Sequence, residues 1–159
     1  MKELNLKPII MECQMDELSN DEQFILSKAI EMTNNSYAKY SHFHVGAALL
    51  LETGEVIPGC NQENAAFPSG LCAERTAIFA AQAQCPEHAI IALAIAARNN
   101  GGLLQEPVTP CGACRQVILE IEDRYQKPVR ILLYGKDGVY VVSSVKDLLP
   151  LSFVDASMK

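Results

Sequence analysis

Long apolar runs, an excess of basic charge and low-complexity tracts are all missing from this sequence, and each absence removes a class of protein. The longest apolar run, Ala89 to Ala97, is less than half of the roughly 20 residues that span a bilayer, so no membrane partner is expected. It suits a buried strand instead. Lys and Arg number 13 against 19 Asp and Glu, a formal net charge of -6, and a surface of that sign repels a phosphate backbone. A nucleic acid polymer is therefore not an expected partner. Charges break up the stretch Met1 to Glu17, which offers no hydrophobic region of the signal-peptide kind, and the cytoplasm is the expected location. Six cysteines in 159 residues are too few for a disulfide scaffold, while 49% hydrophobic and 20% charged residues are too apolar for disorder. No repeat or Pro/Gly/Ser linker divides the chain. The expected organisation is an N-terminal arm over residues 1–18 followed by one domain over residues 19–159.

What is present alternates between helix and strand signals. Ser19-Asn20-Asp21-Glu22 is a capping-box pattern that starts a helix running to about Thr33, with Ile25, Ala29 and Met32 at helical spacing. Val45 to Leu51 and Val56 to Asn61, separated by Glu52-Thr53-Gly54-Glu55, read as a hairpin. Leu71 to Gln84 has the composition of a helix, and a buried strand over Ala89 to Ala97 follows. After a loop from Asn99 to Thr109, Pro110 opens a helix over Cys111 to Tyr125. Val129 to Tyr134 and Val139 to Ser143 read as a second hairpin, and Ser144 to Leu149 as a short last helix. Helices interleaved with buried strands predict an α/β fold in three layers, α/β/α, with a five-stranded mixed sheet covered on both faces.

In a reducing compartment, cysteines at short spacing bind metal or do chemistry. Cys111 and Cys114 form a Cys-x-x-Cys at a helix start, so both sulfurs lie on one face of its first turn. Alone, such a pair also suits a redox couple or half of a zinc ribbon. Cys72 opens the other central helix, where free N–H groups and the positive dipole end favour a thiolate. Three protein ligands with an open fourth position are what a catalytic zinc needs. Glu74, two residues beyond Cys72, is placed for general acid/base work on ion-bound water. Arg75 and Arg115 flank the ligands, and hydrogen bonds from them to sulfur would offset the negative charge of three thiolates. Cys13, Cys60 and Cys85 read as small buried apolar residues. His42, His44 and His88 have no partner at ligand spacing and read as structural or surface residues.

Cys72-Ala73-Glu74 together with Pro110-Cys111-Gly112-Ala113-Cys114 matches the established signature of the zinc deaminases in its all-cysteine form. With Tyr40-Ser41-His42-Phe43-His44-Val45-Gly46-Ala47-Ala48-Leu49, Asn61-Gln62-Glu63-Asn64-Ala65, Cys111-Gly112-Ala113-Cys114-Arg115-Gln116 and Leu148-Leu149-Pro150 in the same order, the chain resembles the cytidine deaminase family of small homotetrameric enzymes. The resemblance implies a cytidine deaminase-like fold and one zinc per chain on Cys72, Cys111 and Cys114. It also implies hydrolytic deamination of cytidine and deoxycytidine, with zinc-bound hydroxide attacking the amino-bearing ring carbon, Glu74 shuttling protons and ammonia leaving. By the same resemblance Asn61 and Glu63 hold the ribose hydroxyls, which an amide and a carboxylate suit chemically. Phe43 packs on the pyrimidine, backbone groups at Ala73 steady the base, and Phe67 stands where an aromatic of a neighbouring subunit commonly reaches the site, often as Tyr. A homotetramer with sites near subunit interfaces, taking a nucleoside as substrate, is the implied assembly.

Three other readings share part of this pattern. Deaminases of aminated nucleoside analogues, of the blasticidin type, carry the same zinc motifs, but Asn61 and Glu63 argue for a ribose. A polynucleotide deaminase needs a basic groove, against which the net charge of -6 speaks. A zinc-stabilised binding module without turnover leaves Glu74 and the missing fourth ligand without a role.

Overall fold

In the computed structural model, which describes residues 1–159, helix α1 (Asn20–Met32) begins where the capping box predicts. The Ser19 hydroxyl accepts from the Glu22 N–H while the Glu22 carboxylate accepts from the Ser19 N–H, so two otherwise orphaned donors are satisfied reciprocally. Helices α2 (Ala73–Gln84) and α3 (Gly112–Tyr125) each start one residue after a cysteine, with Cys72 and Cys111 as their N-caps in extended backbone conformation. The expected last helix is a single 3-10 turn, Val145–Leu148, capped by Ser144.

The sheet is mixed. The five expected strands are present as β2 (His44–Leu51), β3 (Val56–Cys60), β4 (Ile90–Asn99), β6 (Arg130–Tyr134) and β7 (Val139–Val142). Two short strands were not anticipated, β1 (Ile10–Cys13) and β5 (Gly102–Leu103), so the sheet has seven strands rather than five. Both are too short to carry a readable alternation, and β1 owes its conformation to its pairing with β7, a contact across most of the chain. The order is β1-β7-β6-β4-β2-β3, with β5 on the end of β4. Only β4 and β6 are parallel neighbours.

Strand alternation sends side chains to two separate cores. Ala47, Leu49 and Leu51 of β2, with Leu93 and Ile95 of β4, pack against Ala77 and Ile78 of α2 and Ile118 and Leu119 of α3. Ala48 and Leu50, with Ala92, Ala94 and Ala96, pack against Ile25, Leu26 and Ala29 of α1 on the other face. The three-layer architecture follows directly. No helix is long and apolar enough to cross a membrane.

Two strand glycines let the helices approach the sheet closely. A Cβ on Gly46 would lie 2.0 Å from the Ala29 carbonyl oxygen of α1, and one on Gly59 would lie 2.5 Å from Ala77 N and 2.7 Å from the Ala73 carbonyl oxygen of α2. Since α2 carries a candidate ligand at its first turn, Gly59 sets the depth of that ligand. Gly59→Ala is expected to lower stability by roughly 1–3 kcal/mol through forced backbone movement, read as a lower midpoint of urea unfolding at unchanged slope.

Candidate active site

The connection from β3 to α2 and that from β4 to α3 both return to the same end of the sheet, and each finishes in a cysteine. The helix starts therefore meet. Cys72 Sγ lies 3.8 Å from Cys111 Sγ, Cys111 Sγ lies 3.5 Å from Cys114 Sγ, and all three sulfurs are within 4.8 Å of one another. Tetrahedral zinc with Zn–S bonds of about 2.3 Å separates its sulfurs by about 3.8 Å. The donor set thus fits one zinc ion, and no fourth Cys, His, Asp or Glu joins the group. Cys13, Cys60 and Cys85 remain free thiols outside it.

The electrostatics favour a cation here. The Cys72 thiol is pulled down to about 5 by the neighbouring Cys114 thiol, against its own burial and with help from Arg75. Cys114 is pushed up by the neighbouring Cys72 sulfur and by burial. Cysteine binds a metal as the thiolate, so loading the group with a cation releases whatever protons its sulfurs hold. The Arg75 Nη2 donates to Cys72 Sγ at 3.5 Å, while its buried Nε has no partner in the chain.

Arg115 behaves differently from the sequence expectation. Its guanidinium does not bond to sulfur but donates to the carbonyl oxygens of Pro110 and Leu148 and to Thr109 Oγ1. The C-terminal turn supplies an acceptor close enough to outcompete the sulfurs. Cys111-Gly112-Ala113-Cys114 gives no sign of that, since the contact spans 33 residues.

A cavity of about 450 Å³ opens over the thiols, lined among others by Phe43, Asn61, Glu63, Phe67, Glu74 and Arg75. Glu74 is 5% exposed, and burial, with the neighbouring Cys72, pushes its carboxyl above the ordinary range. Asn61 holds the start of β2, its Oδ1 accepting from Val45 N at 2.8 Å and its Nδ2 donating to the Phe43 carbonyl at 3.0 Å. One amide N–H and one lone pair remain for a ligand. Glu63 accepts from the Tyr40 and Ser41 N–H groups and from the Ser41 hydroxyl. Those bonds, the hydroxyl's first, hold its carboxyl below the ordinary range.

Ala73 is fully buried and packs in the core under α2, outside the cavity lining. Its side chain does not face the cavity. Phe67 is 76% exposed and stands edge-on to Tyr40 of its own chain, ring centroids 5.8 Å apart. His44 shares a hydrogen bond with Ser36, His42 is exposed at φ 54°, and His88 lies 3.9 Å from Glu52, all outside the thiol group. Val108, Thr109 and Ile95 also line the cavity without having been singled out in the sequence. Only Thr109 had a signal, as the residue before the Pro that opens α3.

Residues 19–127 match the family model described as the cytidine and deoxycytidylate deaminase zinc-binding region. The chain is 38% identical over 138 residues to a cytidine deaminase of Halalkalibacterium halodurans, covering 87% of this chain and 98% of that protein. It is 38% identical over 133 residues to one of Sporosarcina psychrophila, covering 84% and 91%. The crystal structure of cytidine deaminase from Burkholderia pseudomallei superposes with a TM-score of 0.71 at 36% identity, over 86% of this chain and 100% of that one. The match runs across both cysteine-capped helices and the strands that aim them, and on that ground the chain belongs to the cytidine deaminase family.

Proposed function

We propose that this protein is a zinc-dependent cytidine deaminase that hydrolyses cytidine and deoxycytidine to uridine and deoxyuridine with release of ammonia. The observation that carries the reading is a three-thiol group with no fourth protein ligand, set beside a buried carboxyl at the floor of a nucleoside-sized cavity. Cys72, Cys111 and Cys114 would hold the metal. Zinc, when bound, supplies a Lewis acid that makes water acidic enough to attack at neutral pH.

The chain's own groups account for the rest. Glu74 takes a proton from the attacking water and delivers it to the ring nitrogen beside the amino-bearing carbon, then takes the second proton from the oxygen now bonded to that carbon and delivers it to the departing amino group. The carbon–nitrogen bond breaks as the carbonyl forms, and ammonia leaves. Burial of Glu74 suits this, because raising a carboxyl's affinity for a proton helps it take one from water before passing it on. Arg75 donates to Cys72 and offsets thiolate charge. Asn61 and Glu63 bind the sugar hydroxyls with the polar capacity they retain, and Phe43 packs on the base. Peptide groups at Ala73 steady the base from the first turn of α2, a role that leaves its buried methyl uninvolved.

The large exposed side chains Tyr40, Phe67 and Leu71 line the cavity mouth, which supports a homotetramer with sites near subunit interfaces. Family similarity starting at residue 19 supports reading residues 1–18 as an arm, one that adds strand β1 to the sheet of the single domain. Six free thiols suit the reducing cytoplasm.

Three outcomes test the reading. Conversion of cytidine to uridine, followed by ultraviolet absorbance beside cytosine, CMP and single-stranded DNA, is expected for the free nucleoside by protein with about one zinc per chain. Inactivity on cytidine and deoxycytidine with zinc bound overturns it. Glu74→Gln is expected to keep zinc by metal analysis and lose turnover by a factor on the order of 10² to 10⁴, the usual range for general acid–base groups. Turnover near the wild-type rate would remove Glu74 from the mechanism. Glu63→Ala is expected to raise KM for cytidine more than it lowers kcat, and an unchanged KM would sever it from the sugar.

A further inference from the structure

We infer that Arg115 is a positioning residue for the ligand Cys111, and that through it the C-terminal turn Val145–Leu148 governs how firmly the protein holds its metal. The inference rests on the proposed zinc site.

Cys111 most needs outside support among the three ligands. It is exposed, whereas Cys72 is half-buried and Cys114 is fully buried. As N-cap of α3 its side chain makes no cap bond, which is also true of Cys72, so its exposure is what sets it apart. Residue 115 provides what is missing, on both sides. Its backbone N–H donates to the Cys111 carbonyl at 2.9 Å, and its side-chain Nε donates to the Pro110 carbonyl at 2.9 Å. Those two carbonyls belong to the peptide groups that flank the Cys111 Cα. Fixing both peptide planes fixes φ and ψ of Cys111, and with them the direction of its Cβ and sulfur.

The guanidinium is itself braced. Its Nη2 donates to Thr109 Oγ1 at 3.2 Å and its Nη1 to the Leu148 carbonyl at 3.0 Å. Leu148 ends a turn that cannot drift, because the Val145 and Leu148 side chains sit in the core. The buried carboxylate of Glu122 holds the same turn, accepting from Val145 N at 3.0 Å and from the Ser144 hydroxyl at 2.7 Å. Glu122 lies two helical turns beyond Arg115 on α3, so one helix grips the C-terminal segment at both ends. A planar fork presents its donors in fixed directions to three separate acceptors, whereas an ammonium group offers its three donors from a single point.

The test is zinc affinity by competition with a chromophoric chelator, on Arg115→Ala, Arg115→Lys and Gln116→Ala, with circular dichroism as the check on folding. Loss of an outer hydrogen-bonding partner of a ligand costs 10–100-fold in metal affinity. That drop is expected for Arg115→Ala, a smaller one for Arg115→Lys, and none for Gln116→Ala, which loses only its bond to the Phe153 carbonyl. Cobalt substitution adds a readout that general destabilisation does not move, because loosening Cys111 weakens the thiolate charge-transfer band of a folded variant. Wild-type affinity and spectrum in folded Arg115→Ala overturn the inference. If that variant does not fold, Arg115→Lys decides, and wild-type affinity there overturns it too. An equal loss in Gln116→Ala also overturns it, by tracing the effect to tail docking and not to Arg115. If the wild type binds zinc yet leaves cytidine unchanged, the functional reading fails while these affinities still decide the role of Arg115.

Discussion

Mutual repulsion of three sulfurs, each able to carry a negative charge, is the constraint around which this structure is arranged. Their separations of 3.5 and 3.8 Å leave no room for water between them. Positive potential has to come from elsewhere, and the fold supplies it twice, through the N-terminal ends of α2 and α3. Arg75 adds a full charge at Cys72. A dication on the three sulfurs would complete the balance.

The cavity wall formed by Asn61 and Glu63 shows a different use of hydrogen bonds. Asn61 and Glu63 already serve the chain, tying Phe43, Val45, Tyr40 and Ser41 together. Residues that hold a loop in place while keeping spare donors and acceptors form a surface that is ready before the ligand arrives. Pre-organisation of this kind lowers the ordering cost of binding.

Much of this was legible in the sequence, and for identifiable reasons. The Ser19 capping box, the five main strands and the three helices announce themselves through local pattern. The thiol group was legible because Cys111 and Cys114 share a helical turn and Cys72 opens a second helix. What stayed hidden depends on distant partners. Strand β1 exists through β7, and Arg115 bonds across the fold to Leu148. Ala73 illustrates another limit, since its position beside Cys72 says nothing about whether its methyl faces cavity or core. Gly59 lets α2 press its Ala73 and Ala77 side close against the sheet.

Strand β4 lies between β2 and β6 and is parallel to β6, so α2 leads into it and α3 leads out of it. Both are crossover helices on one face, and neither can be set against the other until β4 has found both neighbours. Such pairings close long loops and form slowly relative to local turns. The cysteines at the starts of α2 and α3 are consequently brought together only by long-range pairings, and the geometry of the thiol group depends on the whole central sheet being formed.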